Sequence, residues 1–263
     1  MEIHEQTETF IKKGNDIVFD HTKIIFKQNE DEYFYATTTN RLVTSVIDLS
    51  RLSLVRITTG DIWPEYQSQL TQFTAPLRSN AYYLKEPCLL YYGDSPSPSK
   101  LSEQLLHEAE ICEFLRSHPH PNVAQYLGCV VKSGRIKGLC FQSYPMTLLE
   151  RLEEAMPVDT GRCLRGIQRG VEHLHGLGII HNDLKPSNIM MNGDEPVIID
   201  FDSATREGEP LCGKAGTPGW AMMGSDYAKC ENDTYSLSKI RDFLVEGKCD
   251  REDIRHLEKL RFI

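Results

Sequence analysis

Residues 181–188 read HNDLKPSN, and residues 197–202, which read VIIDFD, follow them after a turn that contains glycine. Phosphoryl transfer needs an oxygen that accepts the proton of the nucleophile, and it needs hard oxygen ligands for Mg²⁺. Asp183, Asn188 and Asp200 offer a loop carboxylate, an amide oxygen and a carboxylate at the end of a strand. Asp200 follows Asp183 by 17 positions, which leaves room for a strand, a turn and a returning strand. We therefore expect the three side chains to converge on one cleft.

The order of these polar groups is similar to two motifs of eukaryotic protein kinases. HNDLKPSN resembles the catalytic loop H-R-D-x-K-x-x-N, and IIDFD resembles the metal-binding motif D-F-G. The resemblance implies that Asp183 orients the substrate hydroxyl and accepts its proton, and that Lys185 lies against the transferring phosphate. It also implies that Asn188 and Asp200 hold Mg²⁺. A lysine two positions after the catalytic aspartate is similar to Ser/Thr kinases rather than to Tyr kinases.

Further motifs of the same family run along much of the chain. Glu108, within HEAEICEFL, is similar to the glutamate of the kinase αC helix, and AYYLK presents Lys85 as the strand lysine that pairs with it. Residues 216–220, GTPGW, resemble the end of an activation segment. Asp233, at the start of a helix, resembles the aspartate that braces the catalytic loop.

The resemblance also places a nucleotide pocket. Phe141 matches the residue beside the adenine, and residues 142–144 match the hinge whose backbone bonds adenine, so that Phe141, Ser143 and Tyr144 are expected at the nucleotide. His181 is expected to brace the loop without transferring a proton. The implied cofactors are ATP and Mg²⁺, and the implied partner is a protein substrate.

The apolar pattern changes from short strand-like runs to helical spacing, which predicts an α+β, two-lobed fold with a hinge. With the resemblance, this becomes a kinase-like fold with a strand-rich N-lobe and a shortened helical C-lobe. The predicted divisions are an N-terminal extension at 1–50, the N-lobe at 51–141, the hinge at 142–147 and the truncated C-lobe at 148–263. Strands are predicted at 17–19, 23–26, 33–35, 52–57, 81–84, 123–131 and 135–141, and helices at 101–116, 160–174 and 232–244.

The composition argues against some classes of function. The 263-residue chain has 29 Lys and Arg residues against 38 Asp and Glu residues, a formal net charge of −9. A general nucleic-acid or anionic-membrane binder would instead present a basic surface. No apolar run is long enough to span a bilayer, and the N-terminal residues lack the layout of a secretory signal. The expected location is the cytoplasm or nucleus, and the 8 cysteines, without a C-x-x-C pair, are expected to be reduced thiols. No feature points to an oligomeric state.

Four features depart from the family pattern. No G-x-G-x-x-G precedes Lys85, and residues 58–60, TTG, are the best substitute, which predicts looser ATP binding. Asn182 replaces the arginine that clamps activation-loop phosphate, so phosphorylation is not expected to activate the protein; the hydroxyls concerned are Ser203, Thr205 and Thr217. Asp202 replaces the D-F-G glycine and either joins Mg²⁺ binding or repels the triphosphate. The A-P-E tripeptide is missing, and the combination of motifs resembles compact fungal kinase-like proteins.

Three functions are compatible with these motifs. The first is a Ser/Thr-type protein kinase that uses ATP and Mg²⁺, since every residue that such a site requires has a candidate. The second is a pseudokinase that binds nucleotide as a scaffold, which the missing glycines and Asp202 favour. The third is a small-molecule kinase of the aminoglycoside or choline kinase type, against which Lys185 and GTPGW count. Transfer from Mg·ATP separates the first two, and the acceptor hydroxyl separates the first from the third.

Overall fold

The structure is a computed structural model that describes residues 1–13, 16–41, 52–76, 81–93, 100–211, 216–222 and 224–246. Strands predominate before residue 142 and helices after it. The strands are β1 (Glu2–Lys13), β2 (Asp16–Asn29), β3 (Glu32–Thr38), β4 (Val55–Ile57), β5 (Tyr82–Lys85), β6 (Tyr126–Lys132), β7 (Arg135–Gln142), β8 (Met146–Thr147), β9 (Ile179–Ile180), β10 (Ile189–Asn192), β11 (Glu195–Ile198) and β12 (Thr205–Arg206). The helices are α1 (Thr59–Ile62), α2 (Lys100–Arg116), α3 (Leu148–Glu153), α4 (Thr160–Gly176) and α5 (Cys230–Glu246), with 3-10 turns at Leu89–Tyr91 and Pro186–Asn188.

The strand signals before residue 50 form an antiparallel sheet in the order β1-β2-β3-β4. Side chains alternate between the two faces of a strand. On β2, Ile25 therefore joins the main core, while Ile24 and Phe26 join a small second cluster on the opposite face. β4 extends this sheet past residue 50, into the residues predicted to begin the N-lobe.

A second antiparallel sheet, in the order β5-β7-β6, carries Lys85. Lys85 lies opposite Leu139 on β7. Gly138, the residue before Leu139, allows the two strands to approach closely, because a Cβ there would lie 2.5 Å from the carbonyl oxygen of Lys85. The absence of a side chain at Gly138 thus helps to fix the position of β5 and its lysine.

The predicted helix at 101–116 is confirmed as α2, which begins one residue earlier. Its buried face includes Leu105, Glu108, Cys112 and Leu115, spaced three or four positions apart as a helix requires. Glu108 is thus the acidic member of an otherwise apolar stripe. α2 contacts β6, which brings that glutamate to the sheet that holds Lys85.

The C-terminal half is built around α4, which packs against β11 and α5. Asp159 caps α4, since its carboxylate accepts a hydrogen bond from the backbone N–H of Arg162 at 2.9 Å. Gly166 allows close contact with β11, because a Cβ there would lie 2.5 Å from the Cγ of Pro196. The residues that follow α4 form β9 and then the loop 181–188, so the packing of α4 determines where that loop begins.

Residues 58–60, the best substitute for a phosphate-binding loop in the sequence, do not form such a loop. β4 is followed by α1 and not by a second strand of a hairpin, and Gly60 lies within that short helix. The carbonyl of Trp63 accepts a hydrogen bond of 2.8 Å from Arg135, at the end of β7 far from the hinge. Among the described residues, β5 pairs with β7 alone. Within that part of the chain, no glycine-containing hairpin pairs with the opposite edge of β5.

The described cysteines agree with the prediction of reduced thiols. Six fall within the described ranges and all six are free, whereas Cys212 and Cys249 lie outside them. Burial raises the pKa of the Cys163 thiol to about 12, which keeps this thiol protonated at neutral pH. In the described ranges, no helix has the length and apolar character needed to cross a bilayer.

Candidate active site

Asp233, near the start of α5, holds the loop 181–188 at its N-terminal end. Its carboxylate is fully buried and accepts hydrogen bonds of 2.8 Å from the backbone N–H groups of His181 and Asn182. The Nε2 atom of His175, on α4, lies 2.9 Å from the same carboxylate. The predicted bracing of the loop by Asp233 is confirmed.

Asp233→Ala is expected to lower the free energy of unfolding by about 3 kcal/mol or more. The substitution leaves two buried N–H groups without acceptors, and each such group costs about 1–3 kcal/mol. Urea denaturation followed by circular dichroism measures the loss, with Glu231→Ala, an exposed position on the same helical turn, as the matched control. Equal midpoints for the two variants would contradict the bracing role.

Asp183 is nearly saturated with hydrogen-bond donors. Its Oδ1 accepts from the backbone N–H of Thr217 at 2.9 Å and from the Thr217 hydroxyl at 2.6 Å. Its Oδ2 accepts from Lys185 Nζ at 2.8 Å and from Asn188 Nδ2 at 3.1 Å. Four donors on one buried carboxylate hold it in a single orientation.

Thr217 belongs to the site, although its sequence context indicates only a hydroxyl near the end of an activation segment. Its hydroxyl also lies 2.7 Å from Lys185 Nζ, and it is as deeply buried as the loop that it contacts. The sequence feature that could have indicated Thr217 as a site residue is its position in the GTPGW motif. The side chains of Thr217, Lys185 and Asp183 form one buried triangle.

A second cluster joins three separate elements at Lys85. Its Nζ lies 2.6 and 2.8 Å from the two carboxylate oxygens of Glu108 and 2.6 Å from Oδ1 of Asp200. The backbone N–H of Phe201, the residue after Asp200, donates to Glu108 Oε1 at 3.2 Å and so holds this part of the chain against α2. The structure thus brings together the predicted partners Lys85, Glu108 and Asp200.

Three carboxylates influence the charge of Lys85. Burial lowers the pKa of Lys85, but Asp200, Glu108 and Asp202 outweigh burial and hold that pKa well above its ordinary value. Burial raises the pKa of Glu108, and Asp200 and Asp202 add to the rise against the opposing effect of Lys85. The Lys85 ammonium thus lies among acidic side chains, whose oxygens are the kind of ligand that Mg²⁺ prefers.

The predicted hinge is placed less favourably for a nucleotide. Phe141 is buried, with its ring 5.5 Å from that of Tyr126. The backbone N–H of Ser143 donates to the Ala81 carbonyl at 2.9 Å, so a main-chain contact occupies it. The Tyr144 hydroxyl accepts from the N–H of Gln125, and its ring lines a cavity of about 650 Å³ that does not include Lys85 or Asp200. The structure does not bring Tyr144 to the Lys85 cluster.

Comparison with known families gives the family of the chain. A family model described as "Protein kinase domain" matches residues 94–244. The chain belongs to the protein kinase family. The α+β architecture, with a strand-rich first part and a helical second part, is that of a kinase-like fold, as predicted.

The curated relatives are serine/threonine and other protein kinases of greater length. Receptor-interacting serine/threonine-protein kinase 1 of Homo sapiens is 33% identical over 102 residues, which are 38% of this chain and 15% of that protein. Mitosis inducer protein kinase cdr2 of Schizosaccharomyces pombe is 30% identical over 169 residues, which are 59% of this chain and 22% of that protein. Mitogen-activated protein kinase 14 of Xenopus laevis is 32% identical over 102 residues, which are 37% of this chain and 28% of that protein. The matched part therefore spans less than a third of each relative.

Within this kinase fold, the hydroxyls that precede the GTPGW turn already have partners. Ser203 donates to Asp202 Oδ1 at 3.0 Å, and Thr205 donates to Glu209 Oε2 at 2.6 Å. Because Thr217 is buried against Asp183 as well, these three hydroxyls make intramolecular contacts that phosphorylation would break. The expectation that their phosphorylation does not activate the protein stays a prediction.

Proposed function

We propose that this kinase-family chain is an ATP- and Mg²⁺-dependent phosphotransferase of the Ser/Thr protein kinase type, which transfers the γ-phosphate to a protein hydroxyl. The observation that supports the proposal most strongly is the contact of Lys85 with both Glu108 and Asp200 at 2.6–2.8 Å. A strand, a helix and a loop end must all be positioned correctly to form it. The Lys–Glu pair and the metal-binding aspartate are together required of an active kinase.

Each residue has a distinct part in the proposed reaction. Lys85, oriented by Glu108, binds the phosphates of the nucleotide, and Phe141 and the backbone of residues 142–144 form the wall of the adenine pocket. Asp183 orients the acceptor hydroxyl and takes up its proton. Lys185 lies against the transferring phosphoryl group and stabilises its charge. The divalent metal neutralises charge on the phosphates when it is bound.

The donor set fits Mg²⁺ bound together with a nucleotide. Asn188 uses Nδ2 for its contacts with Asp183, which leaves Oδ1 as the amide atom suited to a metal. Asp200 supplies a carboxylate, and its Oδ1 lies 2.6 Å from Lys85 Nζ, the group proposed to bind the phosphates. No group of three or more His, Cys, Asp or Glu side chains within the described ranges forms a metal site alone. Mg²⁺ is typically held by one or two carboxylates plus substrate phosphates, as this set requires.

A scaffold that binds nucleotide without efficient transfer is the second candidate. The occupied Ser143 N–H and the helix at residues 59–62 favour it, because both reduce the contacts available to ATP. A small-molecule kinase has less support, since Lys185 and the GTPGW turn both resemble protein kinases of the Ser/Thr type and lie in contact through Thr217 and Asp183.

The test is transfer of the γ-phosphate from Mg·ATP by the purified chain. The chain is incubated alone, with a generic basic protein, and with a panel of aminoglycosides and choline. Intact mass and phosphosite mapping then show which molecule has gained phosphate. We expect phosphate on protein serine or threonine. Phosphate on the small molecules alone would favour the third function. Thermal stabilisation by Mg·ATP with no transfer would favour the scaffold.

A further inference from the structure

Asn182 and Asn232 form a buried pair of amides between the catalytic loop and α5. The Nδ2 group of Asn232 donates to Oδ1 of Asn182 at 3.0 Å, and both residues are less than a tenth exposed. Asn182 has a φ of 64°, a left-handed conformation that asparagine adopts more readily than most residues. Its Nδ2 group donates to the carbonyls of Ile180 and Ser203 at 3.2 and 3.1 Å. The pair thus contacts Ser203, the residue that follows Asp202.

The same pair reaches the other end of this segment. Asn232 Nδ2 also donates to the Tyr227 carbonyl at 3.1 Å, and its Oδ1 accepts from the Ser225 hydroxyl at 3.1 Å. Two side chains in mutual contact therefore bind residue 203 and residues 225–227. We call residues 203–227 the activation segment from here on.

A short ribbon closes the base of the activation segment. The N–H of Gly208 donates to the Ala228 carbonyl at 2.8 Å, the N–H of Ala228 donates to Glu209 at 2.8 Å, and the N–H of Leu211 donates to Asp226 at 2.9 Å. These antiparallel contacts bring the two arms of the segment together beside the amide pair.

The activation segment bears Thr217, whose N–H and hydroxyl hold Asp183. Gly216 lies directly against the catalytic loop, since a Cβ there would be 2.7 Å from the carbonyl oxygen of Asn182 and the residue has a φ of 73°. A displacement of the arm that contains residues 216–222 would therefore move Thr217 away from Asp183, and the ribbon joins the other arm to the base of this one.

We propose that Asn182 and Asn232 are positioning residues that hold both arms of the activation segment through neutral hydrogen bonds, so that Thr217 orients Asp183 without a phosphate group. As a statement about catalysis, this inference rests on the proposed function. Both amides serve as donor and acceptor in the network. An arginine at position 182 has no acceptor atom for the Asn232 amide, so the residue typical of the family would break the pair rather than improve it.

The test compares Asn182→Ala, Asn232→Ala, the double variant and Asn182→Arg in the full chain. Ser238→Ala is the matched control, because this exposed hydroxyl on α5 bonds only within its helix. Hydrogen exchange of the peptide that contains the Thr217 N–H is followed by mass spectrometry, and kcat and KM for ATP are measured beside it. We expect each single variant, including Asn182→Arg, to speed exchange and to lower kcat by about tenfold, with KM for ATP changed by no more than about twofold.

The double variant is expected to lose less than the sum of the two single losses, because the bond between the two amides is broken in each single variant and counts only once in the double variant. Additive losses, unchanged exchange at Thr217 or an equal effect of Ser238→Ala would overturn the proposal. If Asn232→Ala does not fold, Asn232→Asp, which keeps the shape and removes both donated hydrogen bonds, carries the same expectations. Hydrogen exchange needs no phosphate transfer, so an inactive wild type would refute the proposed function while the contact is still tested.

Discussion

Asp183→Asn is expected to lower the rate of phosphoryl transfer by about 1,000-fold, within the range that a positioned general base contributes. Asparagine keeps the size of the side chain, but its amide group does not accept the proton of the substrate hydroxyl. It also offers only one oxygen, whereas Asp183 accepts from Thr217 on one oxygen and from Lys185 and Asn188 on the other. Single-turnover transfer from radiolabelled ATP measures the rate.

Nucleotide affinity should change by no more than about twofold in this variant, because the contacts of Lys85 with Glu108 and Asp200 do not involve Asp183. Asp226→Asn, at an exposed carboxylate of the activation segment, is the control for loss of one negative charge. A transfer rate in Asp183→Asn within tenfold of wild type would show that another group accepts the proton.

Asp200→Ala is expected to lower Mg²⁺-dependent nucleotide affinity by on the order of 100-fold, while the fold stays intact. The substitution removes the carboxylate that is the strongest metal ligand of the proposed set. Lys85 keeps its contact with Glu108, so the N-terminal sheet and α2 remain joined. Isothermal titration calorimetry measures the binding of ADP to the protein, once in the presence of Mg²⁺ and once in the presence of EDTA. The difference between the two affinities is the part that depends on the metal.

Asp202→Asn is the matched control, since it removes the neighbouring charge and leaves Asp200 in place. If Asp202→Asn keeps the Mg²⁺ dependence, the metal uses Asp200; if both variants lose it, the two carboxylates share the metal. An Asp200→Ala protein that binds Mg·ADP as tightly as wild type would refute the assignment of Asp200.

The local patterns of the sequence were sufficient to predict most of the elements around the site. α2 was predicted because Leu105, Glu108, Cys112 and Leu115 recur at helical spacing, and a helix buries one such stripe. The bracing of the catalytic loop by Asp233 followed from resemblance alone, and the structure confirms it. Each motif is readable because its own residues are close together in the chain, but the contact of Asp233 with Asn182 joins residues 51 positions apart and could be inferred only by resemblance.

The contacts that local patterns do not reveal join distant residues. Residues 58–60 are the best substitute for a phosphate loop in the sequence, but the strand before them pairs with β3 and the chain then turns into α1 against α2. Ser143 stays a predicted nucleotide contact, and its N–H donates to Ala81 because β5 and β7 run together up to the hinge. Neither pairing has a local signal.

The sequence sufficed to place an acid, a lysine and two oxygen ligands in kinase order, since these residue types and their spacing are properties of the chain. The contacts of Asp183 with Thr217 span 34 positions and depend on the close approach of Gly216 to the catalytic loop. The bond from Asn232 to Asn182 spans 50 positions and depends on where α5 packs. Such bonds form only after the helices and sheets have packed, because packing brings the donors and acceptors within reach of one another.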